Sequence, residues 1–443
     1  MPRFLPFNAL VCHPAKNEET SDLITPQFDE LQMRKRQELA ARSRYNFVRF
    51  ESARDLPGEH PGEDRHERAA TSLAEARETG RIKKQEPGYY FMEITSGGQC
   101  MSGFVGMFEL LEHAKPASFE SNAPDAVADR TRQLGSLGIQ TAPVTLGYRT
   151  TASGAHQLES IAQRVMRHKP LLAFTAGDVR YKLWRIDRDA YQLEPLLAKR
   201  STIILDGTAR YAAAADHAAA ARKADRAPSP FRAYNFVLAW MIDLDRNPVE
   251  FQPRHRAVLA GTIPHIDGSK LLTKLEDYFE IERYKLTSPG SKEAELVNLL
   301  DEMDCIGKLN HSYGLYIGDK AYYLLYLRDA DSYERLTKVQ HSRRWKRLDI
   351  SVLHSIVFDG ILETDAAADK VSAPLSAPQA VSLVDDGFAD ASFLLNRPVT
   401  DHLIDIAEAS EPIPPASVLL SRRPLVGPLM AEIGNGEYVG EDA

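Results

Sequence analysis

A chain of 443 residues with 43 % hydrophobic and 26 % charged residues has ample material for a buried core, and this composition excludes the disordered and fibrous classes. Its 62 acids against 54 bases give a net charge of -8, a field that opposes nucleic acid and anionic membranes and favours small-molecule or protein partners. The three cysteines, Cys12, Cys100 and Cys305, have no metal-ligand or redox spacing, which fits a reducing compartment and gives a cytoplasmic expectation.

The opening run from Phe4 to Cys12 is interrupted by Pro6 and is too short for a secretory signal. A helix-like run from Phe28 to Arg42 leads into Tyr45-Asn-Phe-Val-Arg-Phe50, whose alternation predicts a strand or sheet edge. The Pro-, Gly- and acid-rich stretch from Ser52 to Arg65 predicts an exposed loop, followed by an amphipathic helix from Arg68 to Arg81. Tyr89 to Ile94 and Cys100 to Phe108 read as paired strands around Gly97-Gly98.

Leu158, Ile161, Ala162, Val165 and Met166 recur at helical spacing, and Leu171 to Thr175 with Val179 to Ile186 predicts a hairpin at Ala176-Gly177-Asp178. A short helix from Leu193 to Ala198 precedes the apolar strand Thr202-Ile-Ile-Leu205 and an alanine-rich helix from Arg210 to Lys223. Phe231 to Leu244 is too long for a strand without a bend, and at roughly 20 residues needed per bilayer crossing no apolar stretch suffices for a membrane span.

Leu271 to Leu286 and Glu293 to Met303 predict two helices, and Gly314-Leu-Tyr-Ile317 with Ala321 to Leu327 a hairpin at Gly318-Asp319. The cluster Lys338, His341, Arg343, Arg344, Lys346 and Arg347 around Trp345 reads as a solvated face, while Trp184 and Trp240 are expected in the core. Asp365 to Pro378 has linker composition. The expected division is an N-terminal α/β segment over 1–150, a central unit over 151–260 and a helical and hairpin segment over 261–364. A linker-like stretch over 365–385 and a C-terminal segment with an acidic tail over 386–443 complete it. The fold class is mixed α/β.

The most chemically suggestive stretch is Ser201 to Tyr211, where an apolar strand ends at Asp206-Gly207 and a helix begins. Unpaired N–H groups and the helix dipole favour an anion there, Gly207 permits close backbone approach, Thr208 is suited to cap the helix, and Arg210 can add a charged contact. An Asp-Gly turn before an alanine-rich helix is also ordinary helix-start chemistry. No Walker-type loop, Rossmann fingerprint, metalloprotease histidine pair or nucleophile elbow is present.

This stretch resembles the central motif of the domain of unknown function 1015 family, an apolar strand running into Asp-Gly-His-His-Arg and a Tyr-x-x-Ala helix. Asp206, Gly207, Arg210, Tyr211 and Ala214 keep their places, while Thr208 and Ala209 stand where the family has two histidines. Further landmarks are Pro6-Phe7, Tyr45-Asn46-Phe47-Val48, Leu183-Trp184-Arg185-Ile186, Asn235-Phe-Val-Leu-Ala239, Pro253-Arg-His-Arg256 and Leu348-Asp-Ile-Ser-Val-Leu-His354. Two signatures are eroded. Asp129-Arg130 lacks its upstream histidine, and Ala416-Ser417-Val418 with Arg422-Arg423-Pro424 lacks a lysine and a threonine.

The resemblance implies a central unit similar to the phosphate-binding turn of the ParB and sulfiredoxin superfamily, with a nucleotide-dependent free-serine kinase as its nearest enzyme in chemistry. It implies Gly207 and Thr208 as a phosphate cradle, Arg210, Arg256 and Ser417 as further phosphate contacts, and Asp206 as a holder of a metal or hydroxyl. His255 would be acid or base, with Asp129 and Arg130 in support. The implied cofactor is ADP or ATP with magnesium, with no metal site of the protein's own. Loss of both histidines removes groups suited to proton transfer at neutral pH, so the expectation is a binder of a nucleotide or phosphorylated metabolite with doubtful catalysis. The alternatives are a phosphotransferase acting on free serine or a similar hydroxyl, and a non-catalytic interaction module. The sequence leaves the oligomeric state open.

Overall fold

The computed structural model describes residues 2–51, 64–187, 190–198, 200–262, 268–286, 289–329, 342–364 and 370–440. Residues 52–63 of the loop predicted from Ser52 to Arg65, Lys338 and His341 of the basic cluster, residues 365–369 and the last three residues of the tail lie outside them. The chain forms two compact units. The first comprises 1–118, 122–249 and 422–443, and the second 119–121 and 250–421.

The first unit is built on a mixed sheet of nine strands. Its order is Ala117–Ser118, Thr202–Asp206, Val144–Tyr148, Phe236–Asp243, Gln99–Glu109, Tyr89–Ser96, Val179–Ile186 and Leu172–Ala176, with Phe4–Leu5 also on Gln99–Glu109. Phe236–Asp243 runs parallel to Val144–Tyr148 and antiparallel to Gln99–Glu109. Every residue of Phe236–Asp243 is buried, the signature of a strand covered on both faces. The predicted bend ahead of it is a short 3-10 turn, Ala233–Asn235. The hairpins at Gly97-Gly98 and Gly177 form as predicted, in register from Tyr90 opposite Val105 and from Val179 opposite Ala176.

Helix Thr208–Ala224 packs through Tyr211, Ala214 and Ala218 into a core that includes Val144, Leu146, Leu158, Ile161 and Trp184. Alanines on its buried side let the helix lie close to its neighbours, and the polar residues Arg222 and Lys223 fall in its last turn, where they complement the dipole. Trp184 and Trp240 are both buried, as expected.

Tyr45 to Phe50 is not a strand. Asn46 accepts the main-chain N–H of Val48 and donates to the carbonyls of Asp22 and Ile24, so its side chain starts a helical turn, Val48–Glu51. Tyr45, Asn46, Phe47, Val48 and Phe50 are buried, so the apparent alternation is not an inside-outside pattern.

The second unit has a six-stranded antiparallel sheet ordered Phe279–Lys285, Ala321–Leu327, Ser312–Tyr316, Ala389–Leu395, Arg256–Leu259 and Val371–Ser372. Helices Lys292–Gly307 and Ala377–Asp385 cover one face through Leu296, Leu299, Met303, Ala380 and Val381. Gly314 makes that approach possible, because a Cβ there would stand 2.9 Å from Leu299 and 3.0 Å from Met303. The predicted helix from Leu271 to Leu286 is a helix only over Gly268–Leu275. Residues Phe279–Lys285 pair antiparallel with Ala321–Leu327 as an edge strand, where mixed charged and aromatic residues mimic a helical pattern.

The part of the linker-like stretch that is described carries strand Val371–Ser372 and helix Ala377–Asp385, with Ala377, Ala380 and Val381 in the core. Among the described residues no helix is long and apolar enough to cross a membrane. Cys12, Cys100 and Cys305 are free thiols.

Candidate functional site

Strand Thr202–Asp206 ends where Gly207 takes φ of 88°, a left-handed conformation that strains any residue with a Cβ. Space is not the constraint, since a Cβ there would meet Val144 at an ordinary 3.5 Å. Gly207 is the N-cap of helix Thr208–Ala224, its carbonyl accepting the N–H of Tyr211 at 2.9 Å, and no side chain caps this end. Thr208 is therefore the first helical residue and not the cap. The first turn carries no acid, so the positive end of a 17-residue helix is offset only from outside it.

Asp206 is held on both oxygens. Its Oδ1 lies 2.9 Å from Nη2 of Arg423, and its Oδ2 accepts from Nε2 of Gln27 at 2.9 Å. Arg423, with only 8 % of its side chain exposed, also meets Asp29 at 2.9 Å, Glu30 at 3.0 Å and Gln27 Oε1 at 3.1 Å. Burial opposes its charge, but Asp206, Asp29 and Glu30 outweigh burial and push its pKa well up. Burial raises the Glu30 carboxyl in spite of Arg423.

Arg210 belongs to an adjoining cluster centred on Glu51, whose side chain is 1 % exposed. Glu51 accepts from Arg210 and Arg130 and from the Thr141 hydroxyl at 2.8 Å. Burial alone would raise the Glu51 carboxyl, but Arg130, Arg210 and Thr141 hold it down at about 2. Arg210 donates further to Thr141 at 3.3 Å and to Gln27 at 3.4 Å, so Gln27 links the two clusters. Burial lowers the Arg210 pKa against the pull of Glu51. The cavity beside Arg130, Thr141 and Arg210 is about 30 Å³, room for about one water.

Asp129 and Arg130, adjacent on helix Pro124–Leu137, part company. Arg130 joins Glu51, and Asp129 pairs with Arg65 and lies 3.5 Å from His66 Nε2.

The other candidate residues belong to the second unit. His255 and Arg256, expected as an acid or base and as a phosphate contact, are 5 % and 3 % exposed. Nδ1 of His255 accepts the N–H of Leu395 at 3.1 Å, which assigns the proton of the neutral ring to Nε2. Burial, then the Arg256 charge, lowers its pKa to about 4.

Arg256 donates from Nε to Nε2 of His354 at 3.0 Å, from Nη1 to the carbonyl of Ala416 at 2.9 Å and from Nη2 to Ser417 Oγ at 3.3 Å. Burial lowers its pKa to about 10, and His354 falls to about 3 through burial and the same guanidinium. Ser417 is engaged as well, its N–H donating to Glu120 at 2.5 Å and its Oγ to the carbonyl of Pro414 at 2.7 Å.

In the first unit, then, Asp206, Gly207, Thr208, Arg210 and Arg130 gather around one charged turn, with Asp129 turned to other partners. In the second, His255, Arg256 and Ser417 share one hydrogen-bonded cluster. Sequence reasoning missed Gln27, Glu51 and Arg423 as members of the turn. Arg423 stood in an Arg-Arg pair read as a family signature, and Glu51 is an acid closing an apolar run, which is a usable signal for a buried ion pair. Among the described residues no group of three or more His, Cys, Asp or Glu is placed to hold a metal ion.

Solved structures similar to this chain include a free serine kinase in complex with AMP, at a TM-score of 0.36 and 11 % identity over 80 % of this chain and 94 % of that one. A conserved hypothetical protein from Pyrococcus furiosus gives a TM-score of 0.36 and 12 % identity, over 80 % of this chain and 97 % of that one. SbnI with a C-terminal truncation from Staphylococcus aureus gives 0.32 and 10 %, over 72 % and 84 %. No curated protein matches the chain. The family model described as Protein of unknown function (DUF1015) matches residues 4–351, most of the length and both sides of the Asp206-Gly207 turn, and the chain belongs to that family.

Proposed function

We propose that this protein binds a phosphate-bearing small molecule at the first turn of helix Thr208–Ala224, without using Asp206 or His255 for proton transfer. The observation that carries this reading is the helix start itself. Gly207 stands left-handed at its mouth, no side chain caps it, its first turn has no acid, and Arg210 lies within that turn. Such an end attracts an anion through oriented N–H groups and the dipole together. The Asp206 charge, which would repel a phosphate, is offset by Arg423 at 2.9 Å.

Catalysis by the same residues is not favoured. Asp206 is committed to Arg423 and Gln27, and His255 is buried, neutral above about pH 4 and occupied on Nδ1 by Leu395. A general base needs a reachable lone pair and a pKa near the working pH. The pairing of Arg210 with Glu51 favours a second reading, in which the charged turn is structural and the protein acts through interactions with other proteins.

A thermal-shift screen with AMP, ADP, ATP, phosphoserine and inorganic phosphate, with and without magnesium, separates these readings. A ligand at 100 times its dissociation constant stabilises by about 2.7 kcal/mol, a readily visible shift. A rise with any phosphate-bearing ligand supports binding, and no rise with any of them leaves the interaction reading. Incubation with serine, magnesium and ADP or ATP, read by mass spectrometry for phosphoserine, tests phosphoryl transfer, for which the expected result is no product.

A further inference from the structure

The second unit contains a cavity of about 460 Å³, in the range of small-molecule sites and far larger than the space at the Arg210 cluster. All of its lining residues belong to this one unit. Part of its wall is apolar, from Leu348, Ile350, Leu395, Leu403, Pro253 and Val418. The rest is charged with an imbalance of sign. Lys308, Arg347 and Arg397 face it with the two carboxylates Asp304 and Asp349, and His402 adds an imidazole.

Both carboxylates are already matched. Asp304 lies 3.1 Å from Lys308, and Asp349 accepts from His311 Nδ1 at 2.6 Å and from Asn396 at 3.2 Å. Arg347 and Arg397, by contrast, have no carboxylate within ion-pairing distance among the described residues. Behind the wall stands a further positive charge. Ser417 lines the cavity, and its Oγ accepts from Arg256, a buried guanidinium that hydrogen-bonds to an imidazole, a hydroxyl and main-chain carbonyls and whose charge is answered in part by the nearby Glu120 carboxylate. Arginines without a carboxylate partner beside acids that are already paired favour an anion, and arginine is the side chain suited to its oxygens.

We propose that this cavity binds a small organic anion with an apolar body, its carboxylate or phosphate oxygens on Arg347 and Arg397 and its body against Leu348, Ile350 and Leu403. The site is independent of the turn at Gly207. It also gives the two arginines a role that no ion pair among the described residues supplies.

Isothermal titration of the full chain with phenyl phosphate and with phenylacetate tests this, with inorganic phosphate as the head alone. Saturable binding of at least one of the two aromatic anions is expected, and the pair of results distinguishes a phosphate from a carboxylate head. Arg347→Gln combined with Arg397→Gln, both exposed and without an ion-pair partner among the described residues, should weaken that binding at least fivefold. Val399→Trp, which narrows the cavity from an exposed position on its lining, should weaken it to a similar degree. Ala209→Glu, in the first unit, should leave it unchanged. Saturable binding of neither anion overturns the proposal, as does binding lost in Ala209→Glu and kept in the double arginine variant.

Discussion

Nη2 of Arg423 stands 2.9 Å from Oδ1 of Asp206, so the carboxylate that ends strand Thr202–Asp206 is answered by an arginine from the last segment of the chain. With Gln27 on its other oxygen, Asp206 is fixed as a structural acid at the mouth of the helix. Replacing Asp206 by Asn keeps the shape and removes the charge. Arg423 retains Asp29 and Glu30, so the loss of stability should be moderate, roughly 1–3 kcal/mol. Phosphate affinity should rise, because a negative charge beside the anion is gone. If Asp206 were instead a metal holder, affinity for a magnesium nucleotide would fall, and titration with and without magnesium separates the two.

Glu51 is the acid on which Arg130 and Arg210 converge. Glu51→Gln should destabilise by roughly 3–5 kcal/mol, since two buried guanidiniums lose their shared carboxylate. The folded pKa, about 2, lies below the ordinary 4.5, so the contribution of Glu51 is fully present above pH 4.5 and is lost as pH falls through about 2. Urea midpoints of the wild type and Glu51→Gln should therefore approach each other toward pH 2. Midpoints that stay equally separated from pH 6 to 2 would contradict the assignment.

His255 and His354 give the second unit a different acid window. Both folded pKa values, about 4 and about 3, lie below the ordinary 6.5. The neutral rings therefore contribute stability that is complete above pH 6.5 and declines as pH falls toward 4. Hydrogen exchange of the second unit should show lower protection at pH 5 than at pH 7 once corrected for intrinsic rates. His354→Gln, whose amide oxygen can still accept from Arg256, should show a smaller decline.

Gly207 should tolerate no side chain without strain. Gly207→Ala places a Cβ at φ of 88° and should cost roughly 1–2 kcal/mol, although Val144 leaves the space open. A melting temperature equal to the wild type would mean that the turn relaxes out of the left-handed region.

Much of the fold was legible because its signals are local. Gly97-Gly98, Gly177 and Gly318 sit at hairpin turns with positive φ, and alanines mark the helix after Gly207. Tyr45 to Phe50 misled because a single side chain, Asn46, diverts the backbone into a turn that periodicity does not register. Phe279–Lys285 misled because an edge strand of alternating charge and aromatic residues is ambiguous until its partner Ala321–Leu327 is known. Asp206, Gly207 and Arg210 were visible as a candidate turn. Their partners Gln27, Glu51 and Arg423 were not, since ion pairs between distant segments leave no period in the sequence. The burial of His255 and Arg256 was not legible for the same reason. Carbonyls of Ala416 and neighbouring residues, far along the chain, satisfy the arginine inside the protein.

The most direct measurement is a calorimetric titration of ADP and inorganic phosphate into the wild type and Ala209→Glu, with melting temperature as the control for folding. An acid in the first turn favours the helix dipole while repelling an anion at the same N–H groups. Binding to the wild type that weakens tenfold or more in Ala209→Glu, with the melting temperature unchanged or higher, is the predicted result. Equal binding to both proteins, or none to the wild type, would contradict a phosphate site at this helix start.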